Sequence, residues 1–229
     1  MSSPPPTDPL DVPRYGIAEA ARFVHVRPAT LRSWVLGRTG RTRDEKYHWP
    51  PLILIPRGSD RRLSFSNLIE AHVLSSLRTD RAIAVKAVRE ALAVSAIRSH
   101  IGRLLVSPAL GTDVGLHFLD IYSQLIELRP SDRIAIRAAF DRHIARIAWA
   151  PDGAPAALFP FYGLPTGPQR SISLVPGVAG GRPVIHRRGI QTTVIVDRLD
   201  AGETPEFIAA DYGLERNEVV DAATYERAA

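Results

Sequence analysis

Arg27, Thr30, Arg32 and Ser33 are residue types that read nucleic acid, and they fall within a single short stretch. Arginine carries a planar fork of donors that fits the acceptor pair of guanine or a phosphate. Serine and threonine hydroxyls hydrogen-bond base edges and backbone. To act together the four must lie on one exposed face of a rigid element. Pro28 suits the first position of a helix, where no amide hydrogen is needed. Leu31, Trp34 and Val35 then form that helix's inward face.

A second helix must brace the first. Ile17, Ala20, Ala21 and Val24 recur at the three- and four-residue steps of an apolar stripe, so this helix ends near Phe23 or Val24. Only His25 to Arg27 separate the two, which makes a helix-turn-helix whose second member enters the major groove. Between Arg14 and Arg62 there are eleven basic and four acidic residues, a balance that suits a phosphate backbone. The glycine-punctuated stretch from Gly37 to Pro51, beginning with Arg38, reads as a basic loop that is either solvated or laid on DNA backbone. Leu52 to Ile55 and Leu63 to Phe65 read as two short strands around a PRGSD tip, a hairpin wing carrying Arg57, Arg61 and Arg62. Those three arginines serve as DNA contacts or as plain solubility charges.

Composition excludes several chemistries. With no cysteine there are no disulfides, thiolate metal sites or thiol redox steps. The histidines, at 25, 48, 72, 100, 117, 143 and 186, never fall at ligand spacing within one helix. Neither a metal nor a cofactor is expected. No apolar run is long enough to span a membrane and no signal segment opens the chain, so a soluble cytoplasmic protein is expected. Residues 1–13, with five prolines, read as a disordered tail.

Downstream, Ser66 is placed to cap a helix bearing Leu68, Ile69, Val73, Leu74 and Leu77, and a further helix is expected from Ala82 to Leu105. Strands are expected at Leu116–Ile121 and Gln124–Leu128, a helix from Ser131 to about Ile147, and extended segments at Ala156–Tyr162 and Ile172–Val175. Phe159, Phe161 and Tyr162 read as core or subunit interface rather than a ligand site. Near the end, Thr192 is expected to cap a helix holding Val194, Ile195 and Leu199. Thr204 and Pro205 start a second helix with Phe207 and Ile208 inward, closed by Gly213. Glu215 to Arg227 forms a third, burying Val219, Val220, Ala223 and Tyr225. From Gly189 onward there are three arginines and nine acids, which makes a poor DNA reader and a better seat for a basic protein.

Two stretches carry resemblances. YGIAEAARFVHVRPATLRSWV followed by LILIPRGSDRRLSFSNLIEAHVL resembles the winged DNA-binding domain of MerR-like regulators, with Arg27 where a serine or threonine cap is usual and a longer loop before the wing. Residues 171–229 are similar to VapB-type antitoxins at Pro176, the GRPV run ending at Val184, Ile190, Thr192, Gly202, Pro205, Ile208 and Asp211 to Leu214. That resemblance implies a PIN-domain VapC toxin as partner. It also implies that a basic side chain in an extended segment enters the toxin's acidic centre, for which Arg182, Arg187 and Arg188 are the candidates. The other reading of these arginines is that they brace the acidic helices.

The fold expected is α+β, mainly α. It comprises an N-terminal winged helix-turn-helix (14–80), a small mixed α/β middle or dimerisation region (81–170) and a C-terminal three-helix, helix-turn-helix-like domain (171–229). The function expected is non-enzymatic: an antitoxin that neutralises a VapC ribonuclease and, as a homodimer, binds double-stranded operator DNA to repress its own operon. The alternative is a MerR-like regulator without a toxin, answering to a small molecule held around Phe140 and Phe159. An enzyme reading, a metal-dependent nuclease built on Asp197, Asp200 and Asp211, is disfavoured because Asp197 and Asp200 fall on a helix's outer face.

Overall fold

Folding at the front of the chain follows from two backbone devices around a short turn. The computed structural model describes residues 8–41, 46–56, 58–77, 84–161 and 170–228. Helix α1 (Ile17–Phe23) starts at Gly16, whose N–H donates to the Glu19 carboxylate at 3.3 Å. His25 adopts a left-handed φ of 52° in the turn, and α2 (Pro28–Leu36) opens on Pro28 as its spacing predicts. Ala20, Ala21, Phe23, Leu31, Trp34 and Val35 are buried between them.

The hairpin does not lie where the apolar pattern placed it. Gly37 closes α2 with φ 75°, where a Cβ would sit 2.3 Å from the Trp49 carbonyl oxygen. This turn, open to glycine alone, sends the chain into β1 (Arg38–Arg41), which pairs antiparallel with β2 (Lys46–Trp49), Arg38 opposite Trp49. The stretch read as a loop is thus the hairpin, and Leu52–Ile55 is not a strand. The reason is competition for backbone donors: Leu52 and Ile53 N–H both donate to the Trp34 carbonyl, at 2.6 and 3.0 Å. Leu63 pairs instead with Tyr15 as an isolated antiparallel bridge.

Helix α3 (Phe65–Ser75) follows, capped by Ser64 rather than Ser66. Ser64 Oγ accepts from Asn67 N–H at 3.2 Å and Asn67 Oδ1 accepts from Ser64 N–H at 3.1 Å, a reciprocal capping box. Ser66, inside the first turn, donates to the Leu10 carbonyl. α3 is buried on nearly every side, so it is the central helix of its unit.

Helix α4 (Val85–Ser99) stops at His100, which is left-handed, so Ile101 lies beyond it and Leu104 and Leu105 fall in a separate 3-10 turn. α5 (Asp113–Leu125) replaces the strands expected at 116–121 and 124–128. Thr112 caps it, and Phe118, Leu119 and Tyr122 bury one helical stripe. A run of apolar residues this short does not separate the two periods by itself. Gly115 allows close approach, since a Cβ there would stand 2.0 Å from the Leu110 carbonyl oxygen. α6 (Pro130–Ile144) buries Ile136 and Phe140 but leaves Ile134 73% exposed. β3 (Ile147–Trp149) follows it.

Contacts divide the chain into two compact units, residues 1–155 and 156–229. In the second, β4 (Pro155–Leu158), β5 (Ile172–Leu174), β6 (Pro183–Ile185) and β7 (Ile190–Gln191) follow one another as antiparallel neighbours. Tyr162, part of the expected aromatic cluster, lies outside the described residues. Helices α7 (Thr192–Asp200), α8 (Pro205–Tyr212) and α9 (Arg216–Ala228) complete the unit. Gln191, not Thr192, is the N-cap of α7, because the Thr192 hydroxyl is buried and turned to the Glu226 carboxylate, with the Pro183 carbonyl also 3.3 Å away. Phe207, expected inward, is 60% exposed; Ile208 and Ala209 face the core instead. α9 buries Val219, Ala222 and Tyr225, leaving Val220 on the outside. Among the described residues no helix is long and apolar enough to cross a membrane.

Candidate nucleic-acid interface

Helix α2 stands on the unit's surface with Leu31, Trp34 and Val35 sunk into the core, which forces the intervening positions outward. Arg27, at the N-cap, and Arg32, on the second turn, are exposed. Thr30 and Ser33 are half-buried. Ser33 Oγ donates to the Thr30 carbonyl at 2.7 Å, so its hydrogen is committed to the helix and only its acceptor capacity faces out. Of the four, two guanidiniums and the Thr30 hydroxyl keep donors for another molecule.

Arg38 is exposed at the start of β1, directly after α2. The hairpin β1–β2, rather than the 52–65 segment, is therefore the basic hairpin that follows α2, and its sequence also holds Arg41 and Lys46. Thr39, next to Arg38, is exposed as well. Arg61 and Arg62 are exposed in the turn before Leu63, where Asp60 and Arg61 have positive φ. Arg62 Nη1 donates to the Arg14 carbonyl at 3.2 Å, which ties it to the strand-like segment before α1. Arg57 lies outside the described residues. Among the described residues no carboxylate pairs with Arg27, Arg32, Arg38 or Arg61. Their charges are uncompensated, which is what phosphate binding requires.

The C-terminal candidates are placed differently. Arg187 forms an ion pair with Glu218 at 2.8 Å and donates to the Gly213 carbonyl at 3.0 Å. Arg188 Nε donates to the same carbonyl at 3.2 Å. Gly213 is the left-handed cap of α8, so two guanidiniums sit on the negative end of that helix. Arg182 is exposed on the approach to β6. The structure brings Arg187 and Arg188 together at the α8–α9 turn, with Arg182 on a separate stretch.

The acidic helices are tied by arginines of their own. Arg198 bonds Glu203 and, at 2.5 Å, Asp211, and lies over the Tyr212 ring at 4.9 Å from its centroid. Arg216 pairs with Glu206 and Arg227 with Asp200. Asp200 and Asp211 are thus held by different arginines, and among the described residues no group of three His, Asp or Glu stands close enough to hold a metal ion. Phe140 is fully buried with its ring 6.3 Å from that of Phe118, and Phe159 is buried edge-on to His186.

Two stretches of the chain match known families. Residues 13–99, spanning α1 to α4, match a family described as "Putative DNA-binding HTH domain". Residues 172–225, from β5 into α9, match one described as "Protein of unknown function (DUF433)". The chain is similar to "Putative antitoxin VapB45" of Mycobacterium tuberculosis (strain ATCC 25618 / H37Rv), 27% identical and covering 93% of each chain. It is also similar to "Uncharacterized protein Rv2308" of the same strain, 25% identical over 96% of this chain and 92% of that one. Among solved structures, the crystal structure of Rv2018 from Mycobacterium tuberculosis has a TM-score of 0.68 at 25% identity, covering 94% of this chain and 99% of the other. The front of the chain is thus similar to a family described as a "Putative DNA-binding HTH domain", and most of its length is similar to a protein described as a "Putative antitoxin".

Proposed function

We propose that the protein is a DNA-binding antitoxin of a type II toxin-antitoxin system, one that represses its own operon and neutralises a PIN-domain VapC ribonuclease. The observation that carries this reading is the outer face of α2, where Arg27 and Arg32 project without a carboxylate partner beside the arginine-bearing hairpin. In this reading α2 enters the major groove, Arg27, Thr30 and Arg32 address base edges, and Ser33 accepts a hydrogen bond. Arg38, Arg61, Arg62 and the sequence-assigned Arg57 meet backbone or minor groove. One such module buries roughly 600 to 1,000 Å² of protein surface, so a homodimer on a two-fold site is the expected binding form.

Residues 14–80 serve as the MerR-like DNA-binding domain, 81–170 as the middle or dimerisation region and 171–229 as the toxin-binding domain. Arg182, Arg187 and Arg188 are the proposed toxin contacts; the last two would have to leave the α8 cap to reach into a toxin. The protein is expected in the cytoplasm. Two measurements on the full chain test the reading: fluorescence anisotropy with duplex from upstream of its own gene at fixed salt, and co-purification with the product of the adjoining gene. Binding in both supports it. Affinity for the upstream duplex no better than for scrambled duplex, together with no co-purification, overturns it.

A further inference from the structure

One concavity in the first unit is assigned no role by the proposed function. It is an open groove of about 350 Å³ walled by Leu52, Leu54, Leu92, Ala96 and Ile101, with Glu70 and Arg103 as its charged lining among the described residues. Leu54 is 75% exposed over it, the kind of uncovered apolar surface that a ligand would remove from water. Size and lining fall in the range of small-molecule sites: mostly hydrocarbon with a few fixed polar groups.

The charge at its mouth selects the ligand. Arg103 Nη1 bonds both oxygens of Asp11 at 3.0 and 2.9 Å, while Nη2 bonds Glu70 at 3.1 Å. Two carboxylates share one guanidinium, leaving one negative charge unmatched. Glu70 is the deeper of the two, its side chain 12% exposed, and burial pushes its carboxyl above the usual range despite Arg103 and Asn67. An added cation would relieve that strain; an anion would add to it. We propose that this concavity binds a small lipophilic cation, an amine on an aliphatic or aromatic body, with the charge received by Glu70 and the body covering Leu54.

The same residues reach the recognition helix. Asn67 Nδ2 donates to Glu70 Oε2 at 2.9 Å and to the Leu54 carbonyl at 3.0 Å. Leu52, in the same wall, and Ile53 next to it in sequence both donate to the Trp34 carbonyl in the last turn of α2. A cation that draws on Glu70 therefore changes the partners of the loop that anchors α2. This coupling to DNA rests on the operator-binding reading; the ligand site does not.

Calorimetric titration of the full-length protein with 4-phenylbutylamine, 4-phenylbutanol and 4-phenylbutyrate tests the site. The amine is expected to bind about tenfold or more tighter than the alcohol, and the carboxylate more weakly than both. Glu70→Gln should erase the amine's advantage, and Ala96→Trp, which fills the concavity, should abolish binding while the melting temperature holds. Equal affinity for all three probes, no binding at millimolar concentration, or undiminished binding by Ala96→Trp overturns the proposal. Saturating amine should shift affinity for the upstream duplex about fivefold or more. If the amine binds and duplex affinity stays put, the coupling is wrong; if no duplex binds at all, it is the operator reading that has failed.

Discussion

Acid should loosen the first unit through two histidines packed together between α3 and α6. The His72 and His143 rings lie 4.8 Å apart, and His72 Nε2 faces the His143 carbonyl at 3.0 Å while His143 Nδ1 faces the Ala139 carbonyl at 2.8 Å. Each nitrogen that faces a carbonyl must carry the hydrogen, so a second proton would charge a ring already short of water. Burial lowers the His143 pKa from 6.5 to about 4, helped by Arg142 and Arg146; burial also takes His72 well below its usual value, helped by His143. Because the folded pKa values lie below the unfolded one, the unfolded chain binds more protons. Stability is complete above pH 6.5 and is lost as pH falls toward 4. A shift of that size for His143 corresponds to roughly 3 kcal/mol in all, about 2 of it between pH 7.5 and 5, and the ring's remaining contact with water lowers the latter to between about 1 and 2. Urea unfolding at half-unit pH steps should show the loss in wild type and a shallower decline in His143→Gln. The carboxylates held low by arginines, Glu203, Glu206 and Glu218, act only below about pH 4.5, while Glu70, raised by burial, gains stability as pH falls and offsets part of the loss equally in wild type and in the variant, so the difference between the two reports the imidazole. A midpoint unchanged from pH 7.5 to 5, or a variant as steep as wild type, would refute the reasoning.

Arg32→Ala should weaken specific duplex binding by about 1 to 3 kcal/mol if the guanidinium meets a base, whereas Arg38→Ala should weaken all sequences alike and lower the salt slope by about one; anisotropy at several salt concentrations separates them. Gly115→Ala drives a methyl to 2.0 Å from the Leu110 oxygen and should cost about 3 kcal/mol or more, read as lost thermal stability or insolubility. Ser64→Ala removes the cap of α3 and should cost about 1 kcal/mol by urea titration, while Ser66→Ala, inside the first turn, should cost less.

Local rules sufficed where the decisive partners were close in sequence. The turn from α1 to α2, Pro28 at the helix start, Thr204 capping α8 and Gly213 closing it each depend on neighbours within a few residues. The apolar stripe of α2 was legible for the same reason: a helix repeats its face every 3.6 residues, and the chain records it. The exposed arginines of α2 follow directly, because burying Leu31 and Trp34 leaves Arg27 and Arg32 nowhere but outside.

Tertiary structure decided what depended on distant partners. Leu52–Ile55 has strand composition, yet its amides are claimed by the Trp34 carbonyl, and Leu63 is claimed by Tyr15 across nearly fifty residues. The apolar run at 116–121 became helix because Thr112 caps it and its stripe faces α4. Sequence left Arg187 and Arg188 as either toxin contacts or braces of the acidic helices, and the fold turns both onto the end of α8. Sequence by itself determined which residues carry charge and where most helices form, α5 excepted. Which charges remain unspent was fixed by contacts between residues far apart in the chain, because a carbonyl or carboxylate satisfies whichever donor the fold brings within about 3 Å.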